Sequence, residues 1–106
     1  MRDDDLRADL LFSALADPVR RDIVERVYDS ELTVNQIAVE YDMSLAAVSK
    51  HIRILREADL VVKRRRGRYQ LVSTNKVMLA EAAAYFDRFE RLHEPLVTNG
   101  YERMDE

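Results

Sequence analysis

The stretch "LTVNQIAVEYDMSLAAVSKHIRILREADL", Leu32 to Leu60, decides the fold. Thr33 followed three residues later by Gln36 is the pattern of a capping box, in which the two side chains satisfy backbone N–H groups that the first helical turn leaves free. It predicts a short helix whose buried side carries Ile37, Ala38 and Tyr41. "YDMS" reads as a tight turn, and Ser44 as the N-cap of the next helix, "LAAVSKHIRILREADL". Two short helices joined by so few residues make a helix-turn-helix, here without the glycine often found in the turn.

The second of these helices has two unlike faces. At about 100° per residue, Leu45, Val48, Ile52 and Leu55 fall within about 80° of one another and form the predicted core stripe. Ala46, Ser49, Lys50 and Arg53 cluster opposite, with Ala47 beside them. That outer face holds no acid before Glu57, whereas a merely solvated helix mixes both signs for pairs three or four residues apart. Its small residues would let the helix approach the edges of bases closely. A single-signed face of this kind favours a nucleic-acid surface.

Downstream, the apolar period shifts from that of a helix towards that of a strand. Leu60 to Arg65 and Arg68 to Ser73 read as a hairpin with Arg66-Gly67 at its turn. The segment "VVKRRRGRYQLV", Val61 to Val72, holds five cations and no acid. One explanation is a sheet edge charged against aggregation. The other is a basic arm that meets the same polyanion as the preceding helix, and the adjacency of the two favours it.

Charge is therefore sorted along the chain, and the formal net charge of -3 hides the sorting. Residues 44–76 contain nine Lys/Arg and two Asp/Glu, a balance of +7, while the flanks on either side carry -6 and -4. Such a block is an electrostatic footprint for an anionic partner, although a solvated surface can look similar.

Upstream, Leu6, Leu10, Leu11, Ala14 and Leu15 share one face of a first helix. It should stop at "ADP", where Asp17 suits an N-cap and Pro18 the first position of a second helix reaching to about Tyr28. Val19, Ile23, Val24 and Val27 are expected inward, with Arg20, Arg21, Asp22, Glu25 and Arg26 in water. At the other end Asn75 caps a last helix from about Lys76 to Pro95. Leu79, Ala82, Phe86, Phe89, His93 and Leu96 recur along it at three and four residues, with Met78, Tyr85 and Leu92 widening the stripe. This is more apolar surface than a small domain needs from a terminal helix. It predicts a dimer interface, with Leu10 and Leu11 of the first helix beside it, unless the helix folds back onto its own core.

At 106 residues the chain has room for one core. Two glycines leave no phosphate-cradling loop, and the absence of cysteine excludes disulfides and thiolate metal sites. The acidic start lacks the pattern of a signal peptide, and no apolar run reaches the roughly 18 residues of a membrane span. A soluble, cytoplasmic protein is expected, with no membrane partner and no cofactor. No nucleophile elbow or partnered triad is present, so an enzyme is not expected.

The blocks "ALADPVRRDIVERV", "LTVNQIAVEYDMSLAAVSKHIRILREADLV" and "KRRRGRYQLV" resemble, in order and spacing, the second helix, helix-turn-helix and wing of the ArsR-type winged-helix transcription regulators. The resemblance spans about residues 10 to 90. It implies a mainly α fold with a small β-hairpin, α-α-α-α-β-β-α, forming one domain over 1–106, with the helix-turn-helix at about 33–58, the wing at about 60–73 and the dimerisation helix at about 75–96. It also implies a homodimer on double-stranded DNA, acting as a repressor at an inverted-repeat operator. Ser44, Ala46, Ala47, Ser49, Lys50 and Arg53 match the family's recognition helix, and Arg64, Arg65, Arg66 and Arg68 match its wing. His51 lies in the family's Ser-basic-His-aliphatic stretch, where packing or phosphate bonding suits it better than catalysis.

The chain also departs from the family. It has "TVNQIAVEY" where one class of metal sensors carries Cys-x-Cys, and its terminal helix offers Asp87, Glu90, His93 and Glu94 with a single histidine, a poor donor set for zinc. No metal site is expected. A metal- or small-molecule-responsive repressor and a winged helix used for protein contact remain as alternatives.

Overall fold

The computed structural model describes residues 3–93, with side chains from 5 to 92. Along them run α1 (Asp3–Leu15), α2 (Pro18–Arg26), β1 (Leu32–Thr33), α3 (Val34–Tyr41), α4 (Leu45–Glu57), β2 (Val61–Arg66), β3 (Tyr69–Thr74) and α5 (Lys76–His93). The expected extension of the last helix to Pro95, its Leu96 and the tail lie outside the described residues.

The helix starts follow their caps. Asp17 accepts from the backbone of Val19 at 2.8 Å and Arg20 at 3.2 Å, with Pro18 opening α2. The capping box forms at α3: Gln36 N–H donates to Thr33 Oγ1 at 3.1 Å, and Thr33 N–H donates to Gln36 Oε1 at 2.8 Å. Ser44 Oγ accepts from Ala47 N–H at 3.1 Å to open α4, and Asn75 Oδ1 accepts from Met78 N–H at 3.2 Å to open α5. The turn between α3 and α4 passes through Asp42 in the left-handed region, φ 53°. An aspartate tolerates that conformation better than most residues, which explains how the turn manages without glycine.

A strand that the sequence reading missed completes the sheet. β1 pairs antiparallel with β3, giving the order β1-β3-β2, with Leu32 opposite Val72 and Thr33 opposite Leu71. Two residues are too few to display a period, so nothing in the sequence marks it as a strand. The hairpin is also shifted by one residue from expectation. Arg66 pairs with Tyr69, which leaves Gly67-Arg68 as the two-residue turn. Gly67 has φ +61°. A primed turn needs a positive φ at its first central position, and glycine supplies it there without steric cost.

Helices and sheet close on one core. Ile23 of α2 and Val27 just after it, Ile37 of α3, Val48, Ile52 and Leu55 of α4, and Leu60, Val61 and Val72 around the sheet base are each at most 2 % exposed. Burying each such side chain contributes about 1.5–3 kcal/mol. The base of the hairpin is fixed in turn. Buried Thr74 donates its hydroxyl to Val24 O at 2.7 Å and its N–H to Val27 O at 3.0 Å, while Asn75 N–H reaches Leu60 O at 2.9 Å. The wing thus projects from a base hydrogen-bonded to α2, immediately after α4.

Leu45 departs from the expected core stripe. It is 49 % exposed, because the first turn of α4 extends past the edge of the core and lies beside the hairpin.

Candidate nucleic-acid interface

The core stripe of α4 fixes what faces outward. With Val48, Ile52 and Leu55 sealed, Ala46, Ser49, Lys50 and Arg53 are exposed and Ala47 is half-buried. Ser44 is exposed too, and its hydroxyl oxygen caps the helix while its O–H stays available to donate. The first turn of α4 and the hairpin line one groove, which Leu45, Ser49, Lys63, Arg68, Tyr69 and Gln70 share. The hairpin cations Lys63 and Arg68 therefore border a concave surface together with Ser49 of α4.

Most cations of this surface are left without a carboxylate partner, as are Arg21, Arg56, Arg88 and Arg91 outside it among the described residues. Among the described residues, no carboxylate forms an ion pair with Lys50, Arg53, Lys63, Arg65, Arg66 or Arg68. Elsewhere Arg7 pairs with Glu81, Arg26 with Asp22 and Glu40, and Lys76 with Asp29. Arg65 donates instead to Gly67 O at 3.2 Å, and Arg68 lies 5.9 Å from the centre of the Tyr69 ring. Arg64 is the exception within the wing, because Glu31 accepts from both its Nε and its Nη2. That guanidinium holds the Glu31 carboxyl below its ordinary range, mainly through the hydrogen bonds and also by charge.

Arg20 is not the solvated side chain that the sequence suggested. It is 14 % exposed, and donates from Nε to Ala14 O at 2.7 Å and from Nη2 to Ser13 O at 3.1 Å. It thereby adds a charged donor to carbonyls at the end of α1, where Ser13 O also accepts from Ala16 N–H and a cation complements the helix dipole. Its Nη1 lies 3.3 Å from His51 Nδ1. A guanidinium only donates, so Nδ1 acts as the acceptor there. His51 is half-buried and ties α4 to the junction of α1 and α2, which sets the helix's position against the body of the domain. The legible signal was an arginine just past the proline that follows a helix end.

A second polar cluster locks α2 to α3. Tyr41 donates its hydroxyl to Asp22 Oδ2, and Arg26 Nε donates to both Tyr41 Oη at 2.9 Å and Asp22 Oδ2 at 3.2 Å. Burial, then the bond to Asp22, pushes the Tyr41 phenol up to about 12. The bond from Tyr41, then those from Arg26, hold the Asp22 carboxyl below its usual range.

The expected dimer face divides. Leu11 and Ala82 are 4 % and 2 % exposed inside the protomer's own core, so they support the terminal helix from beneath and do not line a free surface. Leu79 is half-buried against the same core. Leu10, Phe86 and Phe89 remain 45 %, 57 % and 50 % exposed. The stripe that begins in the core at Met78 and Ala82 continues outward as an aromatic patch. There the Phe12 ring lies 4.8 Å from Phe86 and 5.0 Å from Tyr85, and Tyr85 lies 5.7 Å from Phe89. The side chain of His93 and all of Glu94 lie outside the described residues. Among those described, no three His, Cys, Asp or Glu side chains are grouped to hold a metal, and no helix is long and apolar enough to cross a membrane.

Residues 15–64 match the family model described as a helix-turn-helix domain. Over 81 residues the chain is 37 % identical to the HTH-type transcriptional regulator Rv2034 of Mycobacterium tuberculosis, a match covering 76 % of each chain. It is 28 % identical over 79 residues to the transcriptional repressor SdpR of Bacillus subtilis, covering 74 % of this chain and 88 % of that one. Its fold superposes on the crystal structure of the ArsR family transcriptional regulator RHA00566 with a TM-score of 0.75 at 28 % identity, over 89 % of this chain and 97 % of the other. The chain belongs to the ArsR family of winged helix-turn-helix transcriptional regulators.

Proposed function

We propose that this regulator binds double-stranded DNA as a homodimeric repressor, with α4 in the major groove and the hairpin from β2 to β3 on the phosphates or the adjacent minor groove. The observation that carries this reading is the unpaired cationic surface running from the outer face of α4 onto the wing. Cations free of carboxylate partners release counterions from a duplex without first breaking an ion pair of their own. Lys50 and Arg53, with Ser49 between the small residues of α4, are placed to bond base edges or phosphates. The acidic remainder of the chain repels DNA and so orients the approach.

The aromatic patch of Phe12, Tyr85, Phe86 and Phe89 is the proposed dimer contact, and Leu10 of α1 is a further exposed apolar side chain. A two-fold dimer reads two inverted half-sites about one helical turn apart. The test is fluorescence anisotropy of the protein with the duplex upstream of its own gene and with a scrambled duplex, at two salt concentrations. Tighter, salt-dependent binding to the native duplex is expected. Absence of binding to either duplex would replace this reading with a winged helix that docks an acidic protein.

A further inference from the structure

The pair between Glu31 and Arg64 is out of keeping with the rest of the wing. Sheet register explains how it forms. Arg64 lies opposite Leu71, and Leu71 lies opposite Thr33, so these residues share one face of the sheet. Glu31, just before β1, reaches across β3 on that face. Both guanidinium donors engage both carboxylate oxygens, which is the planar fork that an arginine offers to a phosphate. The field of Arg66 also acts on Glu31, and the two side chains line one open depression with Asn35, Gln36 and Tyr69. Both partners keep access to water, with the side chains of Arg64 and Glu31 52 % and 34 % exposed, so another anion can reach the fork.

We infer that Glu31 is an internal competitor for DNA phosphate: its carboxylate holds the Arg64 fork in the free protein and weakens every duplex complex that the wing forms. This rests on the DNA-binding reading above. It makes Glu31, an acid outside both the recognition helix and the wing, a determinant of affinity. An exposed pair contributes little to folding, so its main effect falls on binding.

The test measures anisotropy on one duplex, selected by the wild-type protein from a random pool, between 0.1 and about 0.5 M salt. Glu31→Gln frees Arg64 for one added phosphate contact, which steepens the salt slope by about 0.9 and tightens binding about eightfold at ~0.1 M but only about twofold at ~0.5 M. In an Arg64→Gln background the same change should give no gain. Thermal unfolding of each variant accompanies the titrations. If Glu31→Gln leaves affinity and slope unchanged, or lowers affinity together with the unfolding temperature, Glu31 is a brace for the wing and the inference is overturned. An equal gain with and without Arg64 also overturns it, since Glu31 would then act only as bulk charge. If the wild type selects no duplex and Glu31→Gln binds none, the DNA-binding reading fails first and takes the inference with it.

Discussion

Replacing Arg65 and Arg66 together by Ala tests whether the wing meets phosphate. Both side chains are exposed, and neither pairs with a carboxylate among the described residues, so their loss leaves the core and the hairpin base intact. The one internal bond given up is that from Arg65 Nε to Gly67 O, at the exposed turn. If each arginine neutralises one phosphate, the slope of log K against log salt falls by about 1.8 for the double variant. Affinity then drops about sixtyfold at ~0.1 M salt and only about three- to fourfold at ~0.5 M, the larger loss being worth about 2.5 kcal/mol. Anisotropy titrations of wild type and variant over that salt range, on both the preferred and the scrambled duplex, supply the slopes. The loss should be similar on the two duplexes, because phosphates carry no sequence. An unchanged slope would refute the wing assignment, and a loss confined to the preferred duplex would show that these arginines read bases.

Three further outcomes follow from the polar clusters and the aromatic patch. Phe89→Glu places a charge on the half-exposed ring of the patch, and should convert a dimer to a monomer in sedimentation while leaving the helical circular dichroism unchanged; a dimer that survives it would displace the proposed interface. Arg20→Met should cost about 1–3 kcal/mol in urea unfolding, because the carbonyls of Ser13 and Ala14 lose a charged donor, and a change below the error of the fit would show that water replaces it. Tyr41→Phe should abolish an ultraviolet phenolate transition near pH 12. The native phenol keeps its proton where the unfolded one has lost it. Stability from this group is therefore complete below about pH 10 and lost as pH rises through about 12. The same substitution should let the Asp22 carboxyl rise towards its usual range. Because that pKa is depressed in the fold, its contribution is present above the ordinary carboxylate pKa of about 3.9 and disappears as pH falls through the lowered native value.

Local chemistry was legible where a few adjacent residues decide the outcome. Asp17, Thr33 with Gln36, Ser44 and Asn75 each cap the helix that their spacing announced, since a cap needs only a side chain and the next three N–H groups. The core stripe of α4 was legible for the same reason, up to Leu45. Angle around a helix places that residue inward, but burial also requires something to cover it, and the core ends one turn later. The turn slipped by one residue because Arg66-Gly67 and Gly67-Arg68 look equally plausible until the pairing of Arg66 with Tyr69 is known. Leu11 and Ala82 carry the right spacing for an interface, but spacing cannot tell a helix's own core from a partner's.

The remaining gaps involve long side chains that cross between elements, and they bear most directly on function. Arg20 reaches His51 over 31 positions of sequence, and Arg64 reaches Glu31 over 33. In each case counting charge along the chain misjudges what the surface presents to DNA. The basic block from 44 to 76 contains Arg64, but Glu31 lies outside it, so the sequence overstates the free charge of the wing by one fork. What a duplex meets is the set of cations left unpaired after folding. On that basis Lys50, Arg53, Lys63, Arg65, Arg66 and Arg68 should dominate the salt dependence, and Arg64 should join them only once Glu31 releases it.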